Sequence, residues 1–341
     1  MDLAYAYANA RVKAMTSKLL DRDAMRELLD VKSLPEFIEL LEEGPYKPAF
    51  VAASTRYSGS ELVKRALDDD LAVAAGKVYR IAPLKAKRMV ARLLKDWEVN
   101  NVKKIIALRA LGRGVSLQDL LVVGDGRLVE KLVAQQDLDG VLRSLMLTEY
   151  SGALGGALPH FRKSGDYRGL LGALDAYNCN ALAAAAVEES DPQLKRFLER
   201  RISIINAVTA LRLRKSGVTA GKTRPFIIPA PGQSFCEKMI VAKGLKEAAA
   251  IASERLGIPL PEEVVRHAAE SGELAQVEEV FQNQLLREAR KTLRRSVLSP
   301  GVLAGYMYLK HEEVHSLRMI AYATQFEVKQ DIRDSILSRL N

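Results

Sequence analysis

Cysteine, aromatic residues and long apolar runs are all scarce in this chain of 341 residues. Its two cysteines, Cys179 and Cys236, form no CxxC spacing and are too few for a disulfide framework, which indicates a reducing compartment. We expect both thiols to be inert packing groups. The chain also lacks an uninterrupted apolar run of about twenty residues and a signal-peptide pattern, so the sequence predicts neither a membrane span nor secretion.

Strand patterns are equally rare, since β-branched alternation is missing over nearly the whole length and aromatic residues make up only 6% of the chain. Ala, Leu, Lys, Glu and Arg dominate, with apolar positions at helical spacing. Ser33 followed by Glu36 has the pattern of a capping box at the start of a helix. The sequence therefore predicts an all-α fold and disfavours an α/β nucleotide-binding class.

Internal similarity divides the predicted helices into repeats. Placing Asn101 over Asn206 aligns NNVKKIIALRALGRGV with INAVTALRLRKSGV, and LKHEEVHSLRMI from Leu309 lies without a gap over LKDWEVNNVKKI from Leu94. Self-similarity of this kind is typical of a repeated supersecondary unit. We predict three similar helical modules, at residues 1–112, 113–217 and 218–341.

An HExxH motif, formed by His311, Glu312 and His315, suggests a zinc metallopeptidase as one alternative. On a helix this spacing places two imidazoles and a general base on one face. The third ligand of the HxxGxxH continuation is missing, because its positions hold Arg318 and Ala321. The aligned stretch LKDWEVNNVKKI also keeps none of the three motif residues, so we interpret the motif as part of a structural helix and expect no metal.

A second motif, GVTAGKT at Gly217–Thr223, imitates a phosphate-binding loop. It is one residue short of GxxxxGK[ST], and it follows an amphipathic helix where the loop requires a strand. We therefore predict a basic interdomain loop, with no nucleotide and no other cofactor.

Positive charge is concentrated in one segment. The formal net charge is +9, and Lys195–Arg224 holds nine basic residues against one acid, Glu199. A basic nucleic-acid-binding protein is thus a further alternative, although only Phe197 and Phe226 could stack on bases there. A solvated helix face, an acidic protein partner or anionic lipid headgroups are the other interpretations of this segment.

Four stretches in order, YAYANARVKAMTSKLL, NNVKKIIALRALGRG, NAVTALRLRKSG and GYMYLKHEEVHSLRMIA, resemble one family. They look like the C subunit of archaeal A-type and bacterial V-type ATP synthases, which is related to the d subunit of eukaryotic V-ATPases. The resemblance runs from Tyr5 to Leu340. One departure is PAPGQSF before the loop helix of the third module, where family members often have a Pro-Gly-Gly turn.

The resemblance implies a non-catalytic, funnel-shaped protein with pseudo-threefold symmetry. It would sit peripherally on the cytoplasmic face of the membrane and couple the central rotor shaft, formed by the D and F subunits, to the proteolipid ring. Proton- or sodium-linked ATP synthesis or hydrolysis would be the process served. Neither a small-molecule substrate nor nucleic acid is implied.

By the same motif match, Arg109 and Arg214 occupy equivalent places at the ends of long helices, with Arg212 nearby. We expect these three to be partner-binding contacts of the socket. The alternative is that they cap the C-termini of their own helices, where cations are favoured.

Overall fold

The structure of the chain is a computed structural model. It describes residues 3–217, 227–228, 232, 234–326, 333 and 335–336. Most of the GVTAGKT motif, and most of the third predicted module beyond residue 326, lie outside the described residues.

Sixteen α-helices and two short 3-10 turns, at Leu3–Tyr5 and Leu117–Asp119, are found in the described part, which contains no strand. The all-α prediction is confirmed on these residues. The α-helices are α1 (Ala6–Thr16), α2 (Arg22–Asp30), α3 (Leu34–Glu43), α4 (Lys47–Ser54), α5 (Gly59–Ile81), α6 (Leu84–Ala110), α7 (Arg127–Val133), α8 (Leu138–Leu145), α9 (Ser151–Ser164), α10 (Arg168–Glu188), α11 (Pro192–Lys215), α12 (Phe235–Val241), α13 (Leu245–Leu256), α14 (Glu262–Ser271), α15 (Ala275–Arg295) and α16 (Gly301–Gln325).

The start of α3 shows how local sequence sets a helix boundary. Ser33 Oγ accepts a hydrogen bond from the Glu36 amide, as an N-cap should. The Glu36 carboxylate reaches back to the amide of Lys32, one residue before the cap, and accepts from it at 2.9 Å. The Ser33 half of the predicted capping box is therefore present, whereas Glu36 binds the amide of Lys32 and not that of the Ser33 cap.

The chain divides into two compact units. Unit 1 contains residues 1–91 and 286–341, and unit 2 contains residues 92–285. Both boundaries fall inside continuous helices, in α6 and in α15. The division does not test the boundaries of the three predicted modules, which stay a prediction.

Unit 1 is organised around α16, which packs against α1, α2, α3 and α5. This helix buries residues on nearly every side, as expected for a helix that is apolar around most of its circumference. Gly305 lets α16 approach α15 closely, because a Cβ there would lie 3.1 Å from the Ala289 carbonyl oxygen and 3.1 Å from Leu293 Cβ. The apolar side chains of Phe37 and Phe50 complete a solvent-free core.

Unit 2 pairs α9 with α10 and packs α11 against α10, α12 and α13. Among the described residues, α10 is the one helix long and apolar enough to cross a membrane, with a mean hydropathy of 1.2. The sequence did not predict it because Asp175, Asn178 and Asn180 interrupt the apolar run. In α10, Asp175 and Asn178 are bound by Lys103 and Asp96 of α6.

Candidate functional site

The HExxH residues His311, Glu312 and His315 lie on α16. His311 Nδ1 is 3.2 Å from the Glu312 carboxylate, and the His311 side chain is 43% exposed. Across the described ranges, no three His, Cys, Asp or Glu side chains are grouped so that they could hold a metal ion. The polar chemistry of this helix centres instead on its neighbours Lys310 and Glu313.

A buried cluster joins Lys310, Glu313 and Tyr46 in unit 1. The Lys310 ammonium donates to Tyr46 Oη at 2.8 Å and to Glu313 Oε1 at 2.9 Å, and Tyr46 Oη donates to the same carboxylate oxygen at 2.6 Å. The Leu20 amide donates to Glu313 Oε2 at 2.6 Å, and Asp70 lies 2.8 Å from the ammonium. The Lys310 and Glu313 side chains are only 8% and 7% exposed.

The environment of this cluster keeps Tyr46 neutral. Burial raises the pKa of the Tyr46 hydroxyl well above its ordinary value, and the adjacent Glu313 carboxylate raises it further. The hydroxyl therefore remains a proton donor at any physiological pH. It ties the N-cap of α4 to α16.

A second cluster in unit 2 repeats this arrangement. Lys95 Nζ donates to Glu98 Oε1 at 2.7 Å, and Tyr150 Oη donates to the same oxygen at 2.6 Å. Lys95 and Glu98 are the residues that the sequence alignment places over Lys310 and Glu313, and Tyr150, like Tyr46, is the N-cap of its following helix. The second cluster is more exposed to solvent, with side-chain exposures of 26% for Lys95 and 16% for Glu98.

Two further ion pairs involve aligned residues that lie about two helical turns after Lys95 on α6 and after Lys310 on α16. Lys103 Nζ lies 2.7 Å from the Asp175 carboxylate on α10, and Arg318, its aligned residue, contacts Asp68 on α5. Asp68 is the more buried acid, and burial raises its pKa while Arg318 opposes that rise. In each unit a long helix is thus bound through a cation to an acid of a packed neighbour.

Aligned asparagines bind the segments that follow α6 and α11. Asn101 Nδ2 donates to the Leu121 carbonyl at 2.8 Å. The fully buried Asn206 makes two bonds, donating to the Ile228 carbonyl at 2.9 Å and accepting from the Ile228 amide at 2.8 Å. Both amides satisfy backbone groups that would otherwise be buried without partners.

The predicted partner-binding arginines are engaged inside unit 2. Arg109 donates to the Val133 carbonyl at 3.1 Å, and the aligned Arg214 donates to the Lys243 carbonyl at 2.8 Å. These carbonyls belong to the segments around α7 and α12, so the bonds link elements across unit 2. Whether either arginine also contacts a partner stays a prediction.

Arg212 is the most accessible of the three. Its guanidinium makes a two-pronged contact with Glu278, with bonds of 2.8 Å and 2.7 Å, while the Arg212 side chain is 64% exposed. The hydrogen bonds to Glu278 raise the pKa of this already strongly basic group. Arg212 is therefore an accessible, permanently protonated side chain that is paired with Glu278.

Sequence reasoning did not single out Asp96, which neutralises part of the basic segment. Its carboxylate accepts from Arg201 Nη2 at 2.5 Å and from Asn178 Nδ2 at 2.8 Å. Burial by itself raises the pKa of Asp96, but the Arg201 guanidinium and the Asn178 amide outweigh that effect and lower it. The aligned residue on α16 is His311, so the network has no counterpart there.

Unit 2 should accordingly lose stability in acid. The lowered pKa of Asp96 contributes stability above the ordinary aspartate value near 3.8, and this stability disappears as the pH falls through the lowered folded-state pKa. We expect Asp96→Asn to lower the free energy of unfolding at pH 7 by about 1–3 kcal/mol and to flatten its dependence on pH below about 4. Urea unfolding between pH 2.5 and 7 measures both effects; the exposed Asp139→Asn in α8 is the control. An unchanged acid slope in Asp96→Asn would contradict this assignment.

The chain is similar in sequence to known proteins over nearly its whole length. The sequence profile of the ATP synthase (C/AC39) subunit family matches residues 8–334. The C subunit of the A-type ATP synthase of Methanothermobacter thermautotrophicus is 26% identical, over 93% of this chain and 83% of the relative. Those of Methanocaldococcus jannaschii and Haloquadratum walsbyi are 26% and 29% identical, over 99% and 95% of this chain and 88% and 95% of the relatives.

Proposed function

The chain belongs to the ATP synthase (C/AC39) subunit family, and on that premise we propose that it is the non-catalytic socket subunit of a rotary A/V-type ATPase. In this role it couples the central rotor shaft to the membrane proteolipid ring during proton- or sodium-linked ATP synthesis or hydrolysis. The observation that carries the proposal is the match of nearly the whole chain to relatives that are C subunits of A-type ATP synthases.

We further propose that the fold consists of three similar modules arranged as a pseudo-threefold funnel. The aligned contacts described above support the repeat. Lys95 and Lys310 bind glutamates at aligned positions. Asn101 and Asn206 each bind the segment that follows their own long helix, and Arg109 and Arg214 each donate to a backbone carbonyl further along the chain. At α11 the aligned positions of the Lys–Glu cluster hold Arg200 and Ser203, so the second module, 113–217, differs at this point.

A coupling protein requires stiffness and complementary surfaces, and it requires no nucleophile. Internal ion pairs and close-packed helices resist deformation when torque is applied. The partners proposed are the D and F shaft subunits on one side and the proteolipid ring on the other, at the cytoplasmic face of the membrane. No small-molecule substrate and no nucleic acid enter this role.

Reconstitution tests the proposal directly. The purified chain is mixed with the D–F shaft complex and, separately, with the detergent-solubilised proteolipid ring, and association is followed by size-exclusion chromatography with light scattering. We expect stable complexes with both. Association with neither would overturn the proposal, and steep salt-dependent binding to duplex DNA in their place would favour the nucleic-acid alternative.

Charge reversal at the surface tests the predicted contact residues. Arg212→Glu should weaken shaft binding about tenfold or more if its fixed charge faces an acidic partner, since like-charge juxtaposition opposes association. Arg143→Glu, on an exposed position of α8 in the same unit, is the matched control and should leave affinity within about twofold. Equal affinities of the two variants in surface plasmon resonance would remove Arg212 from the interface. We include Arg109 and Arg214 in the proposed partner-binding region. Substitution of any of the three arginines also breaks an internal bond, which for Arg212 is the pair with Glu278.

A further inference from the structure

Five cations lie on one face of α15 in unit 1. Arg287, Arg290, Lys291, Arg294 and Arg295 follow the spacing i, i+3, i+4, i+7 and i+8, which places their side chains together. The opposite face of the same stretch is buried, through Leu286, Ala289 and Leu293. The helix is therefore anchored by its apolar face and presents its cations outward.

These cations form one wall of a cleft of about 630 Å³. The start of α2 forms the other wall and adds a sixth cation, Arg22, together with Leu20 and Asp21. Asp21 is the one acid among the described lining residues, and its carboxylate already caps α2 by accepting from the Ala24 amide at 2.9 Å. We refer to this site as the α15 cleft.

Repulsion between the cations that line the α15 cleft destabilises this part of the protein. Burial lowers the pKa of Arg290, and the charges of Arg294 and Arg287 lower it further. Of the five cations, Lys291 forms an ion pair with Glu288 of the same helix, with the charged atoms 3.8 Å apart. Six cations therefore face a space large enough for a ligand, with a single acid among them.

Guanidinium groups bind phosphate oxygens through paired hydrogen bonds, and several of them together favour an anion that carries more than one charge. We propose that the α15 cleft is a binding site for a multiply charged, phosphate-bearing anion. The same chemistry is offered by a free polyphosphate and by the headgroup of an anionic phospholipid. This site is separate from the contacts through which the proposed coupling role was argued.

Calorimetry with the purified full-length chain tests the site. Inorganic pyrophosphate is titrated into wild type, into the cleft variant R287Q/R294Q and into R162Q/K163Q, which removes two exposed charges from α9. We expect wild type to bind, the cleft variant to lose about tenfold or more in affinity, and the α9 variant to stay within about twofold. Pyrophosphate should also raise the melting temperature of wild type more than that of the cleft variant.

A second arm distinguishes the two sources of phosphate. Vesicles of phosphatidylcholine with and without phosphatidic acid are sedimented with the same three proteins. Cleft-dependent binding to the acidic vesicles identifies a lipid headgroup, whereas cleft-dependent binding to pyrophosphate alone identifies a soluble anion; both support the site.

The proposal fails if wild type binds neither probe, or if the α9 variant loses as much affinity as the cleft variant. If R287Q/R294Q proves unstable by circular dichroism, R290Q replaces it. Because neither arm uses the shaft or the proteolipid ring, failure here leaves the proposed coupling function untouched.

Discussion

Glu313→Gln is expected to lower the free energy of unfolding by about 3 kcal/mol, since removing one partner of a buried ion pair leaves the other charge uncompensated. The change removes the carboxylate that accepts from Lys310, Tyr46 and Leu20 at once. The effect stays at the lower end of the range for such losses because Asp70 continues to face the ammonium at 2.8 Å. Urea unfolding followed by circular dichroism measures the loss.

Two matched substitutions show how the loss of stability depends on the burial of the ion pair. Glu98→Gln disrupts the wetter cluster of unit 2 and should cost about 1–2 kcal/mol, while Glu61→Gln breaks an exposed pair with Lys64 and should cost less than about 1 kcal/mol. Hydrogen exchange adds a local reporter, because the Leu20 amide loses its charged acceptor in Glu313→Gln alone and should exchange faster. Similar losses in all three variants would show that burial of the ion pair does not increase its contribution to the free energy of unfolding.

Gly305→Ala should destabilise the protein by about 1–3 kcal/mol, although alanine is intrinsically the better helix former. The new Cβ would meet the Ala289 carbonyl oxygen at 3.1 Å and the Leu293 amide nitrogen at 3.2 Å, and both are backbone atoms that cannot rotate away. Relief would require α15 and α16 to move apart, with loss of contacts along the whole crossing.

The same substitution at Gly156 should have the opposite sign. This glycine lies inside α9, and a Cβ there has no neighbour within 4 Å. Gly156→Ala should therefore stabilise the protein by about 0.5–1 kcal/mol, through helix propensity alone. Thermal unfolding of both variants provides the comparison, and a gain in stability for Gly305→Ala would refute the close approach of the two helices.

Much of the helical pattern could be predicted from sequence because its signals are local. The all-α class follows from helical spacing along the chain, and Ser33 caps α3 as expected. Contacts between elements carry no such local signal. The tyrosines that complete the Lys–Glu clusters stand in dissimilar contexts, GPYKP and TEYSG, and only their common position before a helix reveals their equivalence.

The candidate site illustrates the same limit. Alignment paired Arg109 with Arg214, but it could not show that each binds a carbonyl of a later segment. The α15 cleft has no signal in the sequence for another reason. A count of charges along the chain favours the longer basic segment at 195–224, and Arg22 joins the cleft from the other end of the sequence. Charge runs along a chain and charge clusters in space are different quantities.

The discontinuous make-up of unit 1 has a consequence for biosynthesis. Its first 91 residues leave the ribosome well before α16, whose Glu313 later receives both Tyr46 and the Leu20 amide. At ordinary translation speeds the roughly 200 intervening residues take about 10–40 s to synthesise. Throughout that interval the nascent α3–α5 region exposes the apolar surface that α16 will cover, while unit 2 can already fold. Truncation before α16 would leave that surface permanently open.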